Sequence, residues 1–514
     1  MVAAGARRAG VSAPLILVIA GLLVSFVPGV PEFELDPEVA LYVFLPPLLF
    51  AAAWQSSYTN LRQNVWGIGL LSVGLVLFTT FAVGYVAYLL VPGLPLPAAF
   101  VLGAIVAPPD AVAAVSIAQR LGLPRRTVTV LVGESLFNDA TALTAFRVAL
   151  IAATGAGFTL ADGVWRFLFA AAVGAAVGLS LGPPLHWLRT RLNDPLVENG
   201  VAVVTPFGAY LIAESLHASG VIAVVVSGLY LGHRATESAA ATRLIGRSFW
   251  KVMVFVLESV VFLLIGLQLP PVLDGLSGRS TPELVWWAIA VFAATVVARF
   301  VWVFPASYVP WLMSRRERGR EHVGWRGRVV LSWAGMRGVV SLAAAFAIPF
   351  TTSDDAAFPG RDLILFLTFT TVLGTLLVQG LTFPALIRVL GVGGERERYA
   401  DTVAEAGAQH AAAQAALERL EELIAEDEVD AAVVDRLREL AEHRQLRVWE
   451  RLGGGTGPEG AEVPTAAYRR LRREMLAAER RVFVRMRDER RLDDEVLSRV
   501  MNELDLEEAA LHRE

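Results

Sequence analysis

The chain reads as an all-α, polytopic membrane protein with a helical cytoplasmic tail, and three observations carry that reading. Of 514 residues, 55% are hydrophobic and 18% charged, with a mean hydropathy of +0.54. A soluble globular chain of this size does not have that balance. Apolar runs of bilayer length recur from residue 13 to residue 390, and basic residues gather in alternate loops between them. Cysteine is absent, which removes disulfides and thiolate metal sites, and seven histidines lie scattered without metal-ligand spacing. No cofactor is expected and no nucleic acid; the partner that composition does predict is the lipid bilayer.

Runs of roughly 17 to 28 apolar residues bounded by Pro, Gly or charge give about 12 transmembrane helices. They fall at roughly 13–28, 38–54, 65–91, 97–120, 127–153, 163–188, 197–217, 219–233, 248–270, 284–312, 327–350 and 361–390. The eighth is short, and a turn at His217-Ala218-Ser219-Gly220 separates it from the seventh. Arg7, Arg8 and the loops after even-numbered spans hold 18 basic residues, from Arg62 to the cluster ending at Arg328; the opposite loops show Arg279 and Arg361. By the positive-inside rule both termini are cytoplasmic, in a plasma-membrane, multi-pass arrangement.

Two spans carry helix breakers. The fourth, 97–120, contains Ala107-Pro108-Pro109-Asp110, and the eleventh, 327–350, contains Gly335-Met336-Arg337-Gly338. Tandem prolines and flanking glycines interrupt helices, and broken helices in corresponding halves point to a transporter site. Spans three to five and ten to twelve therefore predict an inverted repeat whose two broken helices cross. Freed carbonyls and opposed half-helix dipoles at such a crossing need compensation, which Asp110 and Arg337 are placed to give. For Asp110, direct contact with an ion is the other reading.

The fifth span holds Gly133-Glu134-Ser135-Leu136-Phe137-Asn138-Asp139, two carboxylates, a hydroxyl and an amide in an otherwise apolar segment. At helical spacing Ser135 and Asp139 share one face, with Glu134 and Asn138 about 100° round from them. Ionisable groups at membrane depth are expensive and face a bundle interior or a water-filled path. The structural alternative, an ion pair that only locks helices together, suits Glu134 better than Asp139.

Past Gly391-Val392-Gly393-Gly394 the composition changes to Ala, Glu, Arg and Leu with helical periodicity. Two domains follow: a transmembrane domain at 1–394 and a helical tail at 395–514. Gly453-Gly454-Gly455-Thr456-Gly457-Pro458 should divide the tail into two helical halves. No nucleotide or metal motif lies within it.

Several of these segments together resemble a known family. Gly-Glu-Ser-Leu-Phe-Asn-Asp-Ala at 133–140, Leu-Pro-Pro-Leu-Leu-Phe at 45–50, Asp110-Ala-Val-Ala and Gly-Met-Arg-Gly-Val-Val-Ser-Leu at 335–342 look like NhaP-type sodium/proton antiporters. That is the monovalent cation–proton antiporter branch that includes the eukaryotic sodium/proton exchangers. The resemblance implies that Asp139 is the carboxylate binding cation or proton, with Ser135, Asn138, Asp110 and Pro109 shaping the ion site. It implies an ion pair between Glu134 and Arg299, and Glu258 as a partner for Arg337. A homodimer is likewise expected on the resemblance alone.

Three departures stand out. The family reads Thr-Asp-Pro where this chain has Pro109-Asp110-Ala111, so any oxygen from position 109 is its carbonyl. An acidic residue common after the Pro-Pro-Leu-Leu-Phe motif is here Ala51. Relatives commonly have thirteen spans, with an extra helix before the one corresponding to 13–28.

These readings converge on secondary transport rather than enzyme chemistry. A buried carboxylate is costly to leave charged and empty, so Na⁺, K⁺ or Li⁺ and a proton compete for Asp139. With Asn138 neutral and Glu134 engaged, one carboxylate exchanges its load, which predicts electroneutral one-for-one exchange by alternating access. An intramembrane aspartyl protease built on Asp110 and Asp139 is disfavoured because no Gly-Xaa-Gly-Asp motif is present.

Overall fold

Backbone inside a bilayer has to satisfy its own N–H and C=O groups, so the apolar runs fold as helices. The computed structural model describes residues 13–27, 40–154, 160–192, 194–268, 276, 279–309, 324–352, 356–426, 430–452, 464–489 and 491–513. Arg7, Arg8, the arginines at 315–320 and the predicted tail break at 453–458 lie outside them. The described residues are nearly all helical, apart from turns and one isolated bridge between Thr351 and Ala357.

The chain separates into two compact units, Met1–Gly393 and Gly394–Glu514. In the first, the helices are α1 (Ala13–Ser25), α2 (Leu45–Gln55), α3 (Tyr58–Gln63), α4 (Val65–Leu90), α5 (Leu96–Val106), α6 (Ala111–Leu121), α7 (Arg125–Ala153) and α8 (Leu160–Arg191). They continue with α9 (Pro195–Ser215), α10 (Gly220–His233), α11 (Ala240–Leu267), α12 (Thr281–Ala306), α13 (Trp325–Trp333), α14 (Val339–Phe346) and α15 (Arg361–Leu390). Helix thus occupies each of the twelve predicted stretches. Among the described residues six helices, α4, α7, α8, α9, α12 and α15, are by themselves long and apolar enough to cross a membrane. The fourth and eleventh stretches are each split in two, α5 from α6 and α13 from α14, at the predicted breakers.

Terminators follow the local chemistry. Ser219 caps α10 by accepting a hydrogen bond from the Ile222 amide at 3.3 Å. The turn before it places His217 at φ 54°, and α15 stops at Gly391 with φ 60°, a left-handed conformation that suits glycine.

Packing sorts the helices into two bundles. In one, α4, α5, α7, α12, α14 and α15 pack on one another around a core that includes Leu102, Ile105, Ile364 and Leu367. In the other, α2, α8, α9, α10 and α11 pack together around Phe50, Tyr210, Val224 and Trp250. Between lipid-soluble helices small residues allow close approach where hydrophobicity gives no drive. A methyl at Gly103 of α5 would come within 2.2 Å of the Thr80 carbonyl on α4, and one at Gly178 of α8 within 2.6 Å of the Ala223 carbonyl on α10.

Two helices touch both sides: α11, which packs on α14 as well as within the second bundle, and α7. Phe146 and Ala149 of α7 are in the first core, Leu136 and Ala140 are in the second, and Leu143 packs against both. The seam between the bundles therefore runs along α7.

The second unit contains α16 (Glu395–Glu426), α17 (Ala431–Leu452), α18 (Pro464–Asp488) and α19 (Asp494–Arg513). Where two helical halves are predicted, each half is a pair of helices, α16 packing on α17 and α18 on α19. Pairing lets the apolar stripe of one helix cover that of the next, as Leu476, Leu504 and Leu511 do. Arg472 grips Glu507 with two hydrogen bonds of 2.7 Å, and Arg480 reaches Asp505 at 2.6 Å and Glu508 at 2.7 Å.

Candidate functional site

Asp139 is the central residue of α7 and is 7% exposed; its neighbours Asn138 and Glu134 are 0% and 1% exposed. An unbroken helix through Gly133–Asp139 places these side chains at different angles, so each meets a different neighbour.

Glu134 meets Arg299 of α12. Arg299 Nη2 donates to Glu134 Oε2 at 2.8 Å, and Nη1 donates to the other oxygen in a fork geometry. The same guanidinium also donates to the Leu331 carbonyl from Nε at 3.2 Å and Nη2 at 3.1 Å. Both partners are almost fully buried. A pair so desolvated holds only because its remaining hydrogen-bonding groups are also met.

Asn138 meets the first break. Its Nδ2 donates to the Pro109 carbonyl at 2.6 Å, while its Oδ1 is buried without a hydrogen-bond partner among the described residues. At Asp139 the charged neighbour is Asp110, and Asp139 has no cationic partner among the described residues. Ser135 lies one turn earlier, half-buried on α7.

Each helix break leaves backbone groups that no helix satisfies, and several of them find partners at the crossing. The Asp110 amide donates to the Met336 carbonyl at 2.7 Å. Arg337 Nε donates to the Val106 carbonyl at 2.7 Å, and its Nη1 donates to the Gly335 carbonyl. The Arg337 amide donates to Thr375 Oγ1 at 2.9 Å. Arginine thus sits at the C-terminal ends of α5 and α13, where helix dipoles favour a cation. Asp110 immediately precedes α6 and lies against Gly338, the residue before α14, where the dipoles favour an anion. A methyl on Gly338 would come within 1.9 Å of Asp110 Oδ2, and one on Gly335 within 2.5 Å of Arg299 Cδ. Glycine at these two positions is what lets both charged side chains lie on the broken backbone.

The crossing therefore gathers Asp139, Asn138, Asp110, Pro109, Glu134, Arg299 and Arg337. Glu258 is half-buried on α11, which packs against α14, and Arg337 Nη1 lies with the Arg299 side chain beside Gly335. Sequence reasoning missed Thr375, the two glycines as packing elements, and the carbonyls of Leu331 and Met336. A signal existed for the threonine. Thr368, Thr371 and Thr375 are all fully buried at i, i+3 and i+7, which puts three hydroxyls on one face of an apolar helix.

Chemically the arrangement offers a buried carboxylate, an amide oxygen and a second, half-buried carboxylate at the crossing of the broken helices. Oxygen ligands of that kind suit a hard cation, and the carboxylate suits a proton.

Comparison with known proteins follows the same pattern. Residues 1–389 match the sodium/hydrogen exchanger transmembrane family. A Na⁺/H⁺ exchanger of Mycobacterium tuberculosis (strain ATCC 25618 / H37Rv), itself uncharacterised, is 36% identical over 514 residues, covering 98% of this chain and 93% of its own length. The Na⁺/H⁺ antiporter ApNhaP of Aphanothece halophytica is 34% identical over 400 residues, covering 77% of this chain and 73% of its own. In fold the chain is similar to the sodium proton antiporter MjNhaP1 of Methanocaldococcus jannaschii at pH 8, with a TM-score of 0.58 at 20% identity over 76% of this chain and 95% of that one.

Proposed function

This chain belongs to the sodium/hydrogen exchanger family, and on that premise we propose that it exchanges Na⁺ for H⁺ at Asp139 across the plasma membrane. One observation carries the assignment to that residue. Asp139 is buried at the middle of α7 with another carboxylate as its charged neighbour, whereas Glu134 is engaged by Arg299. Burial makes a bare charge at Asp139 costly, so the site holds a proton or a cation and crosses loaded. The Asn138 and Pro109 oxygens, with Ser135 and Asp110 nearby, are the further ligands in this reading.

Exchange is one cation for one proton. Glu134 is taken up by its two-point contact with Arg299, which leaves Asp139 as the one carboxylate that exchanges its load. Alternating access is a movement of the two bundles along the α7 seam. The bias of basic residues supports cytoplasmic N- and C-termini, and the family resemblance supports a homodimer. Unit Met1–Gly393 is the transport domain, and the helical tail, Gly394–Glu514, adjusts rather than performs exchange.

Dissipation of an imposed pH gradient in proteoliposomes, with Na⁺, K⁺ and Li⁺ tested across a pH series, checks the function. Na⁺ should collapse the gradient fastest. A gradient indifferent to all three cations would remove the proposal.

A further inference from the structure

Two charged residues that the ion site does not use bridge the bundles. Arg147 of α7 donates through Nη2 to both carboxylate oxygens of Glu214 on α9, at 3.0 Å each. Their side chains are 49% and 17% exposed. Arg147 lies two turns beyond Asp139, about 12 Å along the helix axis, toward the Ala153 end. The other end of α7 carries Arg125 and Arg126, on the arginine-rich side. Leu143, one turn from each of Asp139 and Arg147, is the residue that packs against both cores.

Glu214 is anchored firmly in its own bundle. Its Oε1 also accepts the Gly220 amide at 3.4 Å, tying it to the turn that starts α10. One turn earlier Tyr210 sits edge-on to Tyr42 at 5.3 Å. The helices that α9 packs on, α2, α8, α10 and α11, all belong to the second bundle. The ion pair is thus a bond across the seam, placed between the buried carboxylate and the arginine-poor face.

From this geometry, and resting on the exchange reading above, we propose that Arg147–Glu214 is a latch closing the arginine-poor side of the seam. It opens whenever the Asp139 site turns toward that side. An exposed ion pair shifts an equilibrium by no more than about five-fold, strong enough to bias the closed state and weak enough to break in every cycle.

The chain contains no cysteine, so a single Leu143→Cys substitution reports access to the seam. Labelling by a membrane-impermeant maleimide is measured in right-side-out and inside-out vesicles, with Na⁺-driven proton movement recorded on the same preparations. In the Leu143→Cys background, Glu214→Gln and Arg147→Gln should each raise labelling from the arginine-poor face, by up to about five-fold. The charge-reversed pair, Arg147→Glu with Glu214→Arg, should return labelling to the starting rate. Unchanged labelling in both single variants overturns the latch. So does equal labelling in the reversed pair and the singles, because that outcome assigns the effect to packing. Loss of gated labelling with exchange intact sinks the latch alone. Gated labelling in a chain that moves no cation sinks the exchange reading and leaves the seam contact standing.

Discussion

Glu134 and Arg299 are each 1% exposed, so neither charge has water to fall back on. Removing one partner of such a pair costs about 3–5 kcal/mol. Glu134→Gln and Arg299→Gln should therefore each lower the thermal midpoint in detergent, and the double variant should recover part of the loss; simple additivity would count against the pairing. Gly338→Ala is the steric counterpart. Its added carbon falls within 1.9 Å of Asp110 Oδ2, and overpacking of this kind costs about 1–3 kcal/mol. The variant should melt earlier and exchange more slowly, and a wild-type midpoint would mean that Asp110 moves aside freely. At this scale the sequence was legible wherever a polar letter interrupts an apolar run, as at Glu134, Asn138 and Asp139. The carbonyls of Leu331, Met336 and Val106 were not, because a backbone acceptor freed by a break has no letter of its own.

The two broken stretches are held as elements by hydrogen bonds from outside themselves. Thr375, in a π turn of α15, accepts the Arg337 amide. Thr375→Val keeps the shape and strands that buried donor, at about 1–3 kcal/mol; Thr375→Ser should restore both stability and exchange, and an equal loss in the two variants would assign Thr375 to packing instead. The breaks themselves were readable as Pro108-Pro109 and as paired glycines around Arg337. The helix count of the tail was not, since the start of α17, where Asp430 Oδ1 accepts the Ala432 amide at 2.9 Å, has no Gly-Pro signature. In that tail Arg472 holds the Glu507 carboxyl below its ordinary value. A depressed carboxyl contributes stability above its unfolded-state value and loses it as pH falls through the folded one. Protection of the α18 and α19 amides, their exchange rate taken relative to the intrinsic rate at each pH, should therefore fall on acidification below the usual carboxylate range and hold steady from there to neutral pH; protection already lost near neutrality would point to another group.

For the whole molecule, the seam along α7 joins residue chemistry to movement. The first bundle draws its helices from spans three to five and ten to twelve, the grouping that the two helix breaks suggested; the line of the seam was not legible, because it depends on contacts between residues far apart in the chain. The side of the membrane each loop faces is an expectation drawn from the bias of basic residues, which acts span by span. If one carboxylate exchanges its load, the cycle moves no net charge, and the flux at fixed ion gradients should be indifferent to membrane voltage. A steep voltage dependence would bring Asp110 in as a second titrating group. The central claim, that proton and cation share Asp139, is tested most directly by Na⁺-driven proton movement in proteoliposomes bearing Asp139→Asn. The amide keeps the shape but neither binds nor releases a proton, so the variant should insert and melt as a folded protein and show no exchange. Exchange at the wild-type rate would contradict the account.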